Sequence, residues 1–205
     1  MIKNVVFDIG RVLLDYDGYV HVKKKLSGSS GWREVAKDLF GNEIWPEALD
    51  RGDIDLDEAV EILASRSLFP EQLRRCAYSI NEMYRPIESS ISAALYAKNL
   101  GYRLYIISNF MKYSIEFFVE QYSFFSLFDG MIVSCYEGLL KPGGEIFELF
   151  LERYNCLAEE SFFIDDKFEN VLTAKDRGFK VIHFTEKTDL FKEFDKIRRE
   201  GSNED

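Results

Sequence analysis

Four groups of polar residues in this chain stand at or just after apolar runs: Asp8, Ser108-Asn109, Lys141 and Asp165-Asp166. A carboxylate can act as a nucleophile or bind a hard divalent cation. A lysine supplies a compact positive charge, and a serine hydroxyl donates and accepts hydrogen bonds. These residue types are therefore suited to nucleophilic attack and to the binding of a metal ion or an anion.

Each group also has a purely structural interpretation. Asp8 can cap the end of its strand by accepting hydrogen bonds from the amides that follow, and Ser108-Asn109 can form an ordinary turn. Lys141 can be a solvated side chain, and the acidic pair can cap the next helix. These interpretations are nearly independent of one another, and chance would rarely place all four groups in this order at strand ends. The joint pattern therefore favours a functional site.

A sheet is predicted from five apolar segments that are typical of strands buried on both faces: 4–8, 102–108, 130–134, 161–165 and 179–184. Amphipathic segments around the later strands predict helices: 87–100, 112–122, 142–154 and 169–177. Strands that alternate with helices predict right-handed crossovers and a doubly wound parallel α/β sheet. Ligands of such sheets bind at the carboxyl ends of the strands, so the polar groups should meet at one edge.

The segment between the first and second strands contains no convincing strand. It predicts helices instead: 19–26, 31–40, 57–66 and 70–84. About seventy residues are too many for an ordinary connection between a strand and a helix. We therefore interpret residues 16–85 as a helical cap inserted into an α/β domain of residues 1–15 and 86–205. The polar tail, residues 201–205, is expected to be disordered.

Composition argues against several classes of function. The chain has 26 basic and 36 acidic residues, a formal net charge of -10 that argues against a nucleic-acid-binding protein. A phosphate site would therefore need cations of its own. The three cysteines lack metal-ligand spacing and indicate reduced thiols. No apolar stretch approaches the roughly 20 residues of a membrane span. The first predicted strand begins too early in the sequence to leave room for a signal peptide. We expect a cytoplasmic protein that binds neither membrane nor nucleic acid; the composition indicates no oligomeric state.

Four motifs together resemble those of the haloacid dehalogenase (HAD) superfamily of phosphatases: FDIGRVL, IISN, LKPGGEIF and FIDDKFENV. The resemblance covers roughly residues 1–15 and 86–190, and the insertion resembles a small C1-type cap. Each motif alone is weak, whereas their order and spacing are specific. The resemblance implies a HAD-like Rossmannoid sheet of strand order 5-4-1-2-3, in which the first and fourth strands are neighbours.

The resemblance also implies a Mg²⁺-dependent phosphatase that hydrolyses a small phosphorylated metabolite through an aspartyl-phosphate on Asp8. The metal ligands would be Asp8, the backbone carbonyl of Gly10 and Asp165. Asp166 would either bind the metal directly or contact one of the groups that bind it. Magnesium would neutralise charge, so that a carboxylate can approach a phosphate dianion.

Two further groups would bind the phosphate by the same resemblance. Lys141 would be a catalytic point charge that holds Asp8 and the transferring phosphoryl group together. Ser108, with the backbone amide of Asn109, would donate hydrogen bonds to the equatorial oxygens, where charge gathers in the transition state.

Gly10 departs from the usual first motif, which is Asp-x-Asp in most phosphatases of the superfamily. The second aspartate protonates the leaving oxygen and then activates water, a role worth roughly 10²–10⁴-fold in rate. FDIGRVLLDYD resembles the opening of a subgroup with Asp-x-Gly that includes bacterial α-glucose-1-phosphate phosphatases. A hemiacetal leaving group is a weaker base than an ordinary alkoxide and depends less on a proton donor. A sugar phosphate is therefore the preferred substrate class.

Two other functions remain open. The carbon–halogen branch of the superfamily also lacks the second aspartate and needs no metal, but Asp165-Asp166 argues against it. A catalytically weak protein that binds a phosphorylated ligand is the other alternative, against which the nucleophile, the lysine and the acidic pair argue. Asp15 and Asp17 could reach back over the site, although solvated hinge residues are the simpler interpretation. Arg11 could pair with the substrate phosphate or with Asp15.

Overall fold

The structure, a computed structural model, describes residues 1–202. Its strands are β1 (Asn4–Phe7), β2 (Leu14–Asp15), β3 (Arg85–Pro86), β4 (Arg103–Ser108), β5 (Gly130–Val133), β6 (Ser161–Asp165) and β7 (Lys180–His183). Five of them form a parallel sheet of order β5-β4-β1-β6-β7. The predicted α/β fold is confirmed, and this is the strand order expected for the five sheet strands.

Ten α-helices lie in the described part of the chain: α1 (Gly18–Lys25), α2 (Trp32–Phe40), α3 (Leu56–Arg66), α4 (Pro70–Ala77), α5 (Glu88–Asn99), α6 (Lys112–Gln121), α7 (Ser134–Glu137), α8 (Glu145–Arg153), α9 (Phe168–Asp176) and α10 (Leu190–Ser202). A π-helical segment covers Ile44–Leu49, and 3₁₀ segments cover Ile80–Met83, Ser123–Leu127 and Ala158–Glu160. The sequence did not predict α7, α10 or the π-helical segment.

The helix predicted over 142–154 was wrong at its beginning. Pro142 follows a cis peptide bond after Lys141 and lies within a turn that the Gly143 amide closes on the Leu140 carbonyl at 2.8 Å. The helix α8 begins only at Glu145. Proline therefore precedes this helix instead of occupying its first turn.

Apolar residues of alternate sheet positions cover both faces of the sheet. Val5 and Ile106 belong to one buried cluster together with residues of α5 and α10. Val6 and Ile107 belong to a second cluster together with residues of α8 and α9. Helices on both faces make the sheet doubly wound, and this leaves the strand ends as the place where polar side chains can gather.

The helices α1–α4 follow β1 and β2 and precede the second long strand of the sheet. They share a third buried cluster, which includes Val22, Leu39 and Leu73. The short strands β2 and β3 pair antiparallel, with Leu14 opposite Pro86 and Asp15 opposite Arg85, so the two ends of this segment lie side by side. We refer to residues 16–85 as the helical insertion; the predicted domain boundaries stay a prediction.

The last helix runs through Ser202 and so enters the segment that was expected to be disordered. The remainder of that tail lies outside the described residues. None of the helices in residues 1–202 has both the length and the hydropathy that crossing a membrane requires.

Candidate active site

Asp8 and Ser108 are in direct contact at one edge of the sheet. The pairing of β1 with its two neighbours places Phe7 level with Ile106 and Ile164, so these strands end together. The Ser108 hydroxyl donates a hydrogen bond to Asp8 Oδ1 at 2.7 Å. Both residues are buried. The predicted nucleophile and the predicted phosphate-binding serine are therefore brought together.

Lys141 joins the ends of the central strands. Its Nζ lies 2.9 Å from Asp8 Oδ1 and 2.6 Å from Asp165 Oδ2, and it donates a third hydrogen bond to the Ile107 carbonyl at 2.9 Å. Only 1% of the lysine side chain is exposed, so these contacts replace the water that the ammonium group has lost. The lysine is thus a buried cation held between two carboxylates.

The carboxylates outnumber this cation. One oxygen each from Asp8, Asp165 and Asp166 lies within 4.8 Å of the others. Burial raises the pKa of Asp8 to about 6, which the charge of Lys141 opposes and the charge of Asp165 increases. Burial and the charge of Asp165 also raise the pKa of Asp166. Excess negative charge in a buried site favours a bound cation.

Lys141 itself stays charged. Burial lowers the pKa of its ammonium group, but the charges of Asp165 and Asp8 outweigh burial and raise the pKa above the usual value. The site therefore combines one fixed positive charge with three carboxyl groups whose donor atoms are all oxygen. Oxygen-only donor sets suit Mg²⁺. The residues predicted to bind magnesium fit this ion, and Gly10 lines the same cavity.

Asp165 is held in place by the start of α9. Its Oδ1 accepts hydrogen bonds from the Lys167 amide at 2.8 Å and from Asn170 Nδ2 at 3.0 Å. The N-cap position considered for this residue belongs to Lys167 instead, and Asp165 accepts from the amide of that residue just before the helix. One oxygen satisfies the amide that follows, while the other binds the lysine.

Asn109 contacts the lysine segment with its side chain. Its Nδ2 donates a hydrogen bond to the Lys141 carbonyl, and the Lys141 amide donates one to Asn109 Oδ1, both at 2.8 Å. This reciprocal pair fixes the backbone of Lys141 against the end of β4. The side chain of Asn109 thus positions the lysine, and only its backbone amide remains for the predicted contact with phosphate.

Asn109→Ala is expected to lower kcat by about thirtyfold, because the two lost hydrogen bonds contribute roughly 1 kcal/mol each, together about 2 kcal/mol, to the position of Lys141. Steady-state kinetics of the variant beside Asn99→Ala, a change at the exposed end of α5, measures this effect. Equal kcat values for the two variants would contradict the positioning role.

Gly10 lies where a second carboxylate would stand in Asp-x-Asp. A Cβ built there would be 3.4 Å from the Tyr16 ring and 4.0 Å from Asp8 Oδ2. The space beside Asp8 is therefore partly filled by an aromatic ring. Burial, together with the charges of Asp8 and Asp166, raises the pKa of the Tyr16 hydroxyl.

The acidic residues beyond β1 have structural partners. Arg11 forms an ion pair with Asp15 at 3.0 Å and places its guanidinium 4.6 Å from the centre of the Tyr16 ring. Asp17 accepts a hydrogen bond from the Val20 amide at 2.9 Å and so caps α1. Of the two partners considered for Arg11, the structure places Asp15 against it.

A cavity of about 540 Å³ lies between the sheet edge and the helical insertion. Asp50, which the sequence did not single out, lines it together with Asp8 and Lys141. Burial raises the pKa of Asp50 to about 7; the charge of Lys167 opposes this shift and the charge of Asp8 adds to it. No pattern in the sequence distinguishes Asp50 from the other acidic residues of the insertion.

Comparison with known proteins assigns the family. Residues 2–178 match the family of haloacid dehalogenase-like hydrolases. The chain belongs to this family. The predicted HAD membership and hydrolase activity are confirmed, while the Asp-x-Gly subgroup stays a prediction.

Relatives of this HAD-like hydrolase extend over most of its length. It is 29% identical to the sesquiterpene phosphatase astK of Aspergillus oryzae over 90% of each chain. It is 24% identical to the D-ribitol-5-phosphate phosphatase of Bacteroides thetaiotaomicron over 88% of this chain and 90% of the other. The structure of the HAD family enzyme bt-2542 from B. thetaiotaomicron, a complex with magnesium and inorganic phosphate, superposes with a TM-score of 0.74 at 20% identity, covering 92% of this chain and 97% of the other.

Proposed function

We propose that this HAD-like hydrolase is a Mg²⁺-dependent phosphomonoesterase that transfers the phosphoryl group of a small phosphorylated metabolite to Asp8. The observation that carries the proposal is the group of Asp8, Asp165 and Asp166 around the buried Lys141. Two relatives named as phosphatases, aligned over about nine-tenths of the chain, support the reaction. The magnesium in bt-2542 supports the cofactor.

Asp8 presents one oxygen for attack on phosphorus. Its Oδ1 accepts from Ser108 and Lys141, which fixes the carboxylate, and Oδ2 points toward the space beside Gly10. We assign the nucleophilic attack to Oδ2. The bond from phosphorus to the leaving alcohol breaks as the aspartyl-phosphate forms, and water then hydrolyses that intermediate.

The other residues of the site bind and neutralise the phosphoryl group. Lys141 keeps its positive charge beside the attacking carboxylate, which reduces repulsion between Asp8 and a phosphate dianion. The Asn109 amide lies at the same edge and donates to a phosphoryl oxygen. Ser108 gives its one hydroxyl proton to Asp8 Oδ1, so its predicted contact with the phosphate requires this hydroxyl to turn from Asp8 toward the substrate. Magnesium held by the three carboxylates would polarise the phosphoryl group when bound.

The helical insertion closes the cavity on the side opposite the strand ends, and we propose that it acts as the cap that selects the substrate. The finer prediction, a sugar phosphate, rests on the leaving-group argument for Gly10 and agrees with the name of the ribitol-phosphate relative. The name of astK indicates an apolar alcohol instead. The two names therefore leave the organic part of the substrate to be decided by the cavity itself.

The proposal is tested by phosphate release from a panel of sugar phosphates, nucleotides, acyl phosphates and alkyl phosphates. We expect turnover with Mg²⁺ and a loss of activity in excess chelator that added Mg²⁺ restores. Halide release from 2-haloacids without metal would support the dehalogenase alternative. Failure to hydrolyse any ester at high enzyme concentration would support the phospho-ligand-binding protein.

A further inference from the structure

Part of the wall of the cavity beside the catalytic carboxylates is aromatic or apolar, and we refer to this part as the aromatic wall. Eight of its lining residues are large and apolar or aromatic: Tyr16, Tyr19, Phe40, Trp45, Met83, Tyr84, Phe110 and Met111. Ring centres lie 5.5 Å apart for Phe40 and Trp45, 5.2 Å for Tyr16 and Tyr84, and 5.4 Å for Tyr84 and Phe110. These contacts give two groups of packed rings: Phe40 with Trp45, and Tyr84 with Tyr16 and Phe110.

Several polar side chains that line the cavity are already hydrogen-bonded or paired within the protein. Asp17 caps α1, Arg11 pairs with Asp15, and Asn170 binds Asp165. Sugar hydroxyls placed against Phe40 and Phe110 would lose hydrogen bonds to water and regain none from these two side chains, a cost that disfavours a polyol along this part of the wall. The binding of an apolar chain would instead be favoured by the removal of its apolar surface from water.

We propose that the organic part of the substrate is an apolar chain, so that the enzyme hydrolyses the phosphate monoester of a long-chain or isoprenoid alcohol. This inference rests on the proposed phosphatase function and names its substrate class. The phosphate lies at Asp8 and Lys141, and the chain extends along the aromatic wall. A volume of about 540 Å³ is within the range of pockets that enclose an organic ligand of this kind.

A series of n-alkyl phosphates from ethyl to dodecyl tests the inference, because every member has a primary alkoxide as its leaving group. We expect kcat/KM to rise roughly two- to fourfold for each added methylene until the cavity is filled. Glucose 1-phosphate and ribitol 5-phosphate are expected to be poorer substrates than the longer members. A flat series, or better turnover of the sugar phosphates, would overturn the inference while leaving the phosphatase intact. Failure of every ester, p-nitrophenyl phosphate included, would overturn both.

Phe40→Ser tests the wall itself. It should lower the ratio of kcat/KM for dodecyl phosphate to kcat/KM for ethyl phosphate by at least about tenfold. The reason is that only the long alkyl chain reaches the ring of Phe40, so only the long substrate loses this apolar contact. Phe117→Ser, a change on α6 outside the cavity, should leave the ratio unchanged. An unchanged ratio in Phe40→Ser would contradict the proposed position of the chain.

A second inference concerns the proton that Gly10 cannot supply. Asp50 lines the cavity from the helical insertion, and the Met111 amide donates a hydrogen bond to its carboxyl group. Its backbone carbonyl accepts from the Ser134 hydroxyl, which in turn accepts from the Phe110 amide at 2.9 Å. Asp50 is therefore anchored to the loop that follows β4.

We infer that Asp50 is the general acid and base of the reaction. In the first step, the bond from phosphorus to the leaving oxygen breaks and that oxygen takes the proton of the Asp50 carboxyl group. In the second, water bonds to phosphorus, the bond from phosphorus to Asp8 breaks, and the water proton passes to the Asp50 carboxylate. The proton count balances over the cycle, and a simple alkoxide becomes an acceptable leaving group.

Asp50→Asn should lower turnover of alkyl phosphates roughly 10²–10⁴-fold. With p-nitrophenyl phosphate, whose leaving group needs no proton, the variant should still give a rapid burst of one p-nitrophenolate per enzyme. The control Asp17→Asn changes another acidic residue of the cavity. It keeps a side-chain oxygen that can cap α1, so its turnover of alkyl phosphates should be close to that of wild type. Adding Gly10→Asp to Asp50→Asn should restore at least tenfold of the lost alkyl phosphatase activity. Loss of the burst together with the alkyl activity, or no loss of either, would overturn the role.

Discussion

Asp8→Asn is expected to lower phosphate release by at least about 10⁴-fold, because an amide cannot form the aspartyl-phosphate. The same change should not destabilise the fold. Asp8 has a pKa of about 6, above its usual value, so its charged form is disfavoured by burial in the folded protein at neutral pH. Asparagine stays neutral, keeps an oxygen for the Ser108 hydroxyl, and leaves Lys141 paired with Asp165.

Thermal unfolding at pH 7, measured beside phosphate release, separates these two expectations. The control Asp15→Asn, at an exposed residue, should retain activity. An active Asp8→Asn variant would show that Asp8 is not the nucleophile. A variant that is inactive only because it unfolds would contradict the stability argument.

Lys141→Met is expected to lose nearly all activity and also about 3–5 kcal/mol of unfolding free energy at neutral pH, because it leaves buried carboxylates without their cation. The pKa of Asp8, already raised, should rise further. A carboxyl group with a raised folded-state pKa stabilises the fold at low pH and loses that contribution as pH rises through the folded pKa. The difference in unfolding free energy between wild type and Lys141→Met should therefore grow as pH rises from 5 to 8.

Added Mg²⁺ supplies the means to check the electrostatic cause. The ion should raise the unfolding temperature of Lys141→Met more than that of wild type, because it replaces part of the missing positive charge. The exposed replacement Lys112→Met serves as the control. Equal deficits at pH 5 and pH 8, without a larger response to Mg²⁺, would indicate lost packing instead of lost charge.

The sheet could be predicted from the sequence because its strands are buried on both faces and therefore appear as short apolar runs. The position of the polar groups followed from the same fact, since parallel strands end at one edge. Asp8, Ser108, Lys141 and Asp165 accordingly come into contact as expected. Their catalytic roles stay predictions that the variants above test.

Features that depend on tertiary contacts could not be predicted. The strands β2 and β3 have two residues each, too few to give a periodic pattern. Proline is common in first helical turns, yet Pro142 precedes α8 because the backbone of this segment turns before the helix begins. Asp50 and the aromatic wall become part of the cavity only because the helical insertion packs over the sheet edge.

Direct detection of phosphate on Asp8 is the most decisive measurement. The wild-type protein is mixed with Mg²⁺ and p-nitrophenyl phosphate, whose good leaving group makes the first step fast, and the mixture is quenched in acid during the first turnovers. Peptide mass spectrometry should then find one phosphoryl group on Asp8, absent from Asp8→Asn and from samples with chelator. A burst of p-nitrophenolate with an unmodified Asp8 would contradict the assignment of this residue as the nucleophile.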